Sequence, residues 1–311
     1  MSNVTPGDSS RLSKNERRDA AREKARLLRE EQKKKDRRTR WILQGSILAA
    51  LLLVVAVVAG VLVTSNGPSG PGPQNMASDG IQISQGAIAT ETPALKAGED
   101  PIPNKRDEAE GTIDIQMYVD YMCPYCGQFE ATNGDYITSL LENGKTTVEI
   151  HPIAILDSAS QGSKYSTRAT NAAACVANYS PNEFYAFHNS LFANQPEEKT
   201  TGLSDDQLIE LTTLAEVGSA DKVASCIKNQ EFKKWVSDSR ARALNGPIPN
   251  SDVDKVKGTP TIIVNGEKYP GSLSDLTTFQ AFVIRAAGSD FNENSTPTPT
   301  PTPSETAPPA N

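Results

Sequence analysis

Residues 118–126 read Tyr-Val-Asp-Tyr-Met-Cys-Pro-Tyr-Cys, so that two cysteines enclose a Pro-Tyr pair. Before the cysteines, Thr112–Val119 alternates apolar and polar residues, as a half-buried strand does. After them, apolar residues recur at helical spacing until Asn143 and Gly144. The sequence therefore predicts a strand, a turn that carries the cysteines, and a helix that begins at Cys123.

A cysteine at the start of a helix has a physical reason to ionise. Unpaired backbone N–H groups and the positive end of the helix dipole favour a thiolate at Cys123. Pro124 is suited to the first helical position, where its missing N–H costs no hydrogen bond, and Tyr125 follows it. Cys126, one turn later and more shielded, is placed to resolve a mixed disulfide. We therefore predict Cys123 as a nucleophile and Cys126 as its resolving thiol.

The sequence that follows extends this unit into one α/β domain, residues 111–288. Thr147–Ile155 has a strand pattern, which completes a β-α-β unit and predicts a parallel pair. From about residue 160 to 245 the apolar period is helical, which predicts a helical insert with a capping box at Ser204 and Gln207. The remainder is predicted as a strand, a turn, a strand and a helix: Thr261–Val264, Asn265-Gly266, Glu267–Tyr269, and a helix from Leu276.

The chain has two further cysteines, Cys175 and Cys226. Each is a lone residue on a separate predicted helix beside an apolar stripe, which favours a structural disulfide in an oxidising compartment. In the chain-entropy model, closing a loop of roughly 52 residues stabilises the fold by about 4 kcal/mol. Two alternatives stay open: a pair of buried free thiols, and zinc bound with Cys123 and Cys126, although the ligands of a zinc site are usually clustered.

Charge and hydropathy divide the N-terminal part of the chain. Residues 1–41 are a basic tail, with 14 Lys or Arg and 7 Asp or Glu up to residue 40, whereas the rest of the chain has 17 and 31. Ile42–Val63 is 22 uncharged, mainly apolar residues, which as a helix would span about 33 Å. It is too long for a cleaved signal peptide, so we predict an uncleaved membrane anchor. The basic tail then stays cytoplasmic, and residues after 63 are exported.

The basic tail also raises the question of nucleic-acid binding. Its acids are interspersed and an apolar run follows at once, so we predict a solvated tail and no nucleic-acid partner. Residues 64–110, which begin with Gly, Pro and Ser, are predicted to be a flexible extracytoplasmic linker, with one strand pattern at Gly80–Ser84. Residues 289–311, rich in Thr and Pro, are predicted to be a disordered tail.

A second informative motif is Gly258-Thr259-Pro260-Thr261, directly before the β-branched strand. A proline cannot occupy an interior ladder position, so it indicates either a bend or a cis peptide bond at this point. The residues themselves leave an ordinary trans proline at a strand start equally open.

Together, residues 118–126, the helical insert and Gly258-Thr259-Pro260-Thr261 resemble, in this order, the DsbA-like family of thiol-disulfide oxidoreductases. The resemblance is greatest to the membrane-anchored forms of actinobacteria and covers roughly residues 81–288. It implies a thioredoxin fold with an inserted helical domain, preceded here by one transmembrane helix. It also implies disulfide transfer to exported, cysteine-containing polypeptides.

The resemblance assigns roles to further residues. Pro260 would be a cis-proline that faces the cysteines, and Thr259 would hold an incoming strand through its backbone. Reoxidation by a membrane quinone-linked partner, of the vitamin K epoxide reductase type, is implied as well. We expect neither a cofactor nor a metal.

The sequence departs from the family pattern at two places. Many thioredoxin-fold enzymes have an acidic residue six positions before the first cysteine, where this chain has Met117; Asp120 is nearer in sequence. The Pro-Tyr pair also lacks the histidine of strong oxidants. Dithiol oxidation is the favoured function, but a reductase or isomerase kept reduced by a membrane partner, and a non-enzymatic chaperone or binding module, stay open. His151 and His188 are interpreted as packing or surface residues.

Overall fold

The structure is a computed structural model that describes residues 23, 24, 26, 70–106 and 111–294, with side chains up to residue 288. The chain divides into two compact units, residues 1–67 and 68–311. In the first unit, only the helical residues 23, 24 and 26 are described. The predicted anchor, 42–63, lies outside the described residues. Among those that are described, no helix is both long and apolar enough to cross a bilayer.

The second unit is built on a mixed six-stranded sheet in the order β2-β1-β4-β3-β5-β6. Its strands are β1 Ile81–Ser84, β2 Ile88–Ala89, β3 Ile113–Val119, β4 Thr146–Pro152, β5 Thr261–Val264 and β6 Glu267–Lys268. β3 and β4 are parallel, as predicted, and the other neighbours are antiparallel. The thioredoxin-like α/β class predicted from the sequence is confirmed.

Both faces of the central strand β3 are covered, because its alternate residues pack into different apolar clusters. Ile115, Met117 and Val119 belong to the main core, which also contains the helix after the cysteines. Tyr118 points to the other face and packs with Ile153 and Ile263 in a smaller cluster. β3 therefore ends inside the protein, and its end delivers the cysteine motif to the edge of the core.

Helices cover the sheet and form the insert. The helices are α1 Pro124–Glu142, α2 Tyr165–Tyr179, α3 Phe184–Ala193, α4 Asp205–Leu214, α5 Ala220–Asn229, α6 Lys233–Asn245 and α7 Leu276–Asn294. Helices α2–α6 are the predicted insert. Ser204 and Gln207 form the predicted capping box at the start of α4. α1 ends at Glu142, with Asn143 as its C-cap residue and Gly144 at φ +74° after it, as the sequence indicates.

The structure corrects the predicted linker. Within residues 64–110, the part from 70 to 106 is described, and much of it packs against the domain instead of forming a flexible tether. Met76 is 1% exposed, and Ile81 and Ile83 are fully buried in the main core. β1 pairs with β4, so the strand predicted at Gly80–Ser84 is present, with β2 outside it. The domain therefore begins before residue 111, because β1 is part of its sheet and its core.

Candidate active site

Cys123 and Cys126 lie where the sequence predicts, at the first turn of α1. Cys123 is the N-cap residue, with extended backbone angles, and Pro124 is the first helical residue. Both thiols are free; Cys123 is 4% exposed and Cys126 is fully buried. Tyr125 between them is 62% exposed. The motif therefore lies at the protein surface, with Cys123 as the more accessible of its two sulfurs.

The surroundings of Cys123 favour its thiolate. Hydrogen bonding from Cys126 is the largest influence and, with the Thr259 side chain and the backbone N–H groups of Tyr125 and Cys126, lowers the pKa of Cys123 to about 6. Burial acts in the opposite direction. At pH 7 the thiolate is the major form, which is the reactive species in exchange.

Cys126 has the opposite environment. Burial raises the pKa of Cys126 well above its usual value, and hydrogen bonding and repulsion from Cys123 act in the same direction. A thiolate formed there takes up a proton readily. The two sulfurs are therefore chemically different although they are only three residues apart.

The loop before β5 meets Cys123 from the other side. β5 pairs with β3 so that Thr261 lies opposite Tyr118, which brings residues 259 and 260 beside the end of β3. The Thr259–Pro260 peptide bond is cis, and Cys123 Sγ lies 3.3 Å from the carbonyl oxygen of Thr259, to which it donates when it is protonated. The motif Gly258-Thr259-Pro260-Thr261 thus faces the cysteines.

Asp120 does not replace the missing acidic residue as a group directed at the cysteines. Its carboxylate accepts hydrogen bonds from the N–H groups of Met122, Ile155 and Leu156 and from the Ser166 hydroxyl, at 2.7–2.9 Å. Burial raises its pKa, whereas these donors lower it. Asp120 therefore ties the turn before Cys123 to the loop after β4 and to α2 of the insert, while Met117 is 1% exposed in the core.

Two residues that support the motif, Gln195 and His188, have no sequence pattern that predicts this role. Gln195, in the loop after α3, donates from Nε2 to the carbonyl oxygens of Cys123 (2.8 Å) and Tyr121 (3.3 Å). His188 is fully buried, with Nδ1 3.2 Å from the Tyr121 hydroxyl and Nε2 3.1 Å from Glu130. The prediction that His188 is a packing residue agrees with its burial, but its bonds connect the insert to both sides of the motif.

The second pair of cysteines is remote from this chemistry. Cys175 on α2 and Cys226 on α5 form the predicted disulfide, with their Cα atoms 5.9 Å apart and both side chains fully buried. Because each sulfur is bonded to the other, neither one is free to complete a zinc site with Cys123 and Cys126.

A family model described as thioredoxin matches residues 107–283, more than half of the chain. The chain belongs to the thioredoxin family, in its DsbA-like branch. Reduced DsbG of Mycobacterium tuberculosis, a disulfide bond oxidoreductase, is 30% identical with a TM-score of 0.51, over 68% of this chain and 88% of that one. Oxidised DsbA of Mycobacterium tuberculosis is 28% identical with a TM-score of 0.50, over 70% and 100%.

Curated relatives match over a smaller share of their length. The Na⁺/H⁺ antiporter NhaA 1 of Salinispora arenicola is 24% identical over 182 residues, which are 55% of this chain and 24% of the antiporter. NhaA 3 of Salinispora tropica is 24% identical over 181 residues, 55% and 23%. This chain thus spans about a quarter of the length of the curated relatives it matches.

Proposed function

We propose that this chain is an extracytoplasmic thiol-disulfide oxidoreductase that introduces disulfides into exported, cysteine-containing polypeptides. The observation that carries the proposal is the pair of unlike thiols at the start of α1. Cys123 has a pKa lowered to about 6 and Cys126 has a pKa raised well above its usual value. A nucleophile, a leaving group and a proton acceptor are thereby provided by two side chains.

In the proposed cycle, a substrate thiolate attacks Cys123 Sγ of the Cys123–Cys126 disulfide. The bond between the two enzyme sulfurs breaks, and Cys126 leaves as a thiolate that takes up a proton. A second substrate thiolate then attacks the substrate sulfur of the mixed disulfide and expels the Cys123 thiolate. The substrate loses two electrons and two protons: the enzyme takes up both electrons, Cys126 holds one proton, and the other goes to solvent.

The low pKa of Cys123 favours this direction. At pH 7, a pKa of about 6 stabilises the reduced form by about 1.4 kcal/mol relative to an un-ionised thiol, which is roughly 30 mV toward an oxidant. The Cys175–Cys226 disulfide also suits an oxidising compartment. Anchoring through residues 42–63 and reoxidation by a membrane quinone-linked partner, of the vitamin K epoxide reductase type, complete the proposal.

A trapping experiment with the full chain tests the proposed function. In Cys126→Ala, a mixed disulfide that forms when the Cys123 thiolate attacks a disulfide of an exported protein cannot be expelled by Cys126, so it should accumulate at Cys123 in the host membrane. Cys123→Ser/Cys126→Ala is the matched control and should trap none. Recovery of cytoplasmic proteins, or equal recovery with both variants, would contradict the proposal.

The direction of exchange needs a separate measurement. An oxidase holds Cys123–Cys126 largely as the disulfide in growing cells, and a reductase or isomerase holds it as the dithiol. Alkylation of free thiols in rapidly acidified cells, with Cys175–Cys226 as the internal disulfide reference, reads the two states. A pair found mainly reduced would select the reductase or isomerase.

A further inference from the structure

The turn that leads into the redox helix is held by two side chains from different directions. Within the turn, the N–H of Cys123 donates to the carbonyl oxygen of Asp120 at 2.9 Å, and the Asp120 carboxylate accepts from the Met122 N–H. The carbonyl oxygens of Tyr121 and Cys123 accept from the side chain of Gln195, in the loop after α3. A carboxylate therefore holds an N–H group of this turn, and an amide from the insert holds two of its carbonyl groups.

The orientation of the Gln195 amide follows from its partners. Its Nε2 atom lies 2.8 Å from the carbonyl oxygen of Cys123 and 3.3 Å from that of Tyr121. A carbonyl oxygen only accepts hydrogen bonds, so the group that faces both oxygens is the NH₂ group. Neither an amide nor a peptide carbonyl group titrates near neutral pH, so this contact is the same whatever the charge of the thiols.

The first turn of α1 leaves room for this amide at Gly127. A Cβ atom at Gly127 would overlap Gln195 Oε1 and would lie 3.0 Å from Gln195 Cδ. Gly127 is an interior residue of the helix Pro124–Glu142, where glycine is less favourable than alanine. The missing side chain at Gly127 is therefore explained by the space that Gln195 occupies.

The loop that carries Gln195 is fastened on both sides of it. The Gln195 N–H donates to the carbonyl oxygen of Phe192 at the end of α3, at 3.2 Å. Four residues further on, the N–H of Lys199 donates to the carbonyl oxygen of Ala159, in the loop after β4, at 2.7 Å. Because its backbone is fixed independently of α1, Gln195 can hold the turn in place and does not merely follow it.

The carbonyl group of Cys123 connects this contact to the thiol. The same oxygen accepts from the N–H groups of Cys126 at 3.0 Å and Gly127 at 3.2 Å, which closes the first turn of α1. The N–H groups of Tyr125 and Cys126 lower the pKa of Cys123, and they do so only while this turn directs them at Sγ. Hydrogen bonds to a thiolate exist only in the reduced state, so a side chain that fixes the turn favours that state.

We propose that Gln195 is a positioning residue for the redox centre: it holds the turn at Cys123 and shifts the Cys123–Cys126 equilibrium toward the dithiol. It acts through the carbonyl group of Cys123 and not on the sulfur itself. The inference rests on the proposed function and deepens it, because the helical insert then takes part in setting how strongly the redox centre oxidises its substrates.

The test measures the equilibrium between the Cys123–Cys126 disulfide of the purified full chain and glutathione. Gln195→Met keeps the length of the side chain but removes the donor, and should lower the equilibrium constant for glutathione oxidation about threefold, an effect of the size that one hydrogen bond has. Gly127→Ala leaves Gln195 unchanged but displaces its amide, and should lower the constant to the same extent. The double variant should show no further decrease, because both changes break one contact.

Gly134→Ala is the matched control for Gly127→Ala. Gly134 lies in the same helix, but a Cβ atom there would lie 3.6 Å from Glu130 Oε2, which is an ordinary contact. Its equilibrium constant should equal that of the native chain, and urea denaturation shows that each variant is folded.

The inference is overturned if either folded variant, Gln195→Met or Gly127→Ala, keeps the native equilibrium constant or raises it. It is also overturned if Gly134→Ala lowers the constant equally, or if the loss in the double variant is the product of the two single losses. These results leave the proposed function intact. A native chain that does not exchange with glutathione at all would contradict the proposed function and this inference together.

Discussion

The two cysteine pairs of this protein have the same side chains but differ in bonding and environment. Cys123 and Cys126 lie within one turn of α1 as free thiols, one of them slightly exposed. Cys175 and Cys226 join α2 to α5 across 51 residues and are fully buried as a disulfide. The first pair meets backbone N–H donors and a carbonyl oxygen, whereas the second belongs to the main core, where the Asn171 amide donates to Cys175 Sγ at 3.7 Å.

The difference shows how the fold separates a reactive disulfide from a structural one. Closing a four-residue ring restricts the unfolded chain by only about 2 kcal/mol, whereas closing the longer loop contributes about 4 kcal/mol. The thiolate of Cys123 is stabilised at the start of a helix, so its disulfide is easy to reduce. In Cys123–Cys126, the short loop and the stabilised thiolate both make the disulfide easy to reduce. In Cys175–Cys226, the long loop makes the disulfide stabilise the fold.

The largest expected effect separates the pairs by activity. Cys123→Ser removes the attacked sulfur and should lower the rate of disulfide exchange by at least about 10³-fold, because no other sulfur of the motif is accessible. The measurement is oxidation of a dithiol peptide by the full chain. The Cys175→Ala/Cys226→Ala variant, assayed at a temperature where it is folded, is the control and should stay within about threefold of the native rate. A slow Cys175→Ala/Cys226→Ala variant together with an active Cys123→Ser variant would show that exchange takes place at the second pair and not at the first.

The next effect separates the pairs by stability. Removing the Cys175–Cys226 bond with the same double alanine variant should lower the free energy of unfolding by about 4 kcal/mol. Urea denaturation measures it. Cys123→Ser/Cys126→Ser, compared with the oxidised native chain, should cost only about 2 kcal/mol. Equal losses in the two double variants would remove the distinction between them.

A smaller effect concerns the support of the reactive pair. Asp120→Asn replaces one oxygen that accepts hydrogen bonds with an amide group that cannot, and should lower the free energy of unfolding by about 1–3 kcal/mol. Asp157→Asn is a matched control, since the Asp157 carboxylate is partly exposed and, among the described residues, accepts hydrogen bonds from the N–H and hydroxyl groups of Thr167 alone. It should cost less than Asp120→Asn. If the two variants lost the same free energy of unfolding, the four hydrogen bonds of Asp120 would contribute no more to stability than the two of Asp157.

The smallest effect concerns Tyr125, which is 62% exposed between the reactive cysteines. Tyr125→Ala should leave the free energy of unfolding within about 0.5 kcal/mol, because surface side chains contribute little. The exchange rate with a peptide should fall about twofold to fivefold through lost contact with the partner, which corresponds to at most about 1 kcal/mol. Stopped-flow fluorescence during peptide oxidation measures it. A destabilised protein would show that Tyr125 packs against the fold.

The sequence was sufficient to predict those features of the fold and the site that depend on local spacing or on a pair of residue types. Strand β3, helix α1, the capping box at Ser204 and the Cys175–Cys226 bond all follow from spacing, turn chemistry or residue type. The linker prediction was wrong for residues 70–106 because Gly and Pro at its start lowered the apparent apolar content. Burial of Met76 and Ile81 depends on partners far away in sequence.

The supporting residues of the site show the same limit. Gln195 and His188 belong to the insert, and their hydrogen bonds to the motif cross about 70 residues of sequence. No local periodicity marks such a contact, because it depends on how α3 packs against α1. The cis bond at Pro260 was left open by the residues and followed only from the family resemblance.

The reactivity proposed for this protein depends on Cys123 being a thiolate at neutral pH. Because its folded pKa is lowered, the stabilisation of the reduced protein is present above the unfolded pKa, near 9, and is lost as pH falls through about 6. The direct measurement is the rate of alkylation of Cys123 by iodoacetamide against pH, read by mass spectrometry of its peptide in the reduced full chain. The midpoint should lie near pH 6. A midpoint near 9, that of an ordinary thiol, would contradict this assignment.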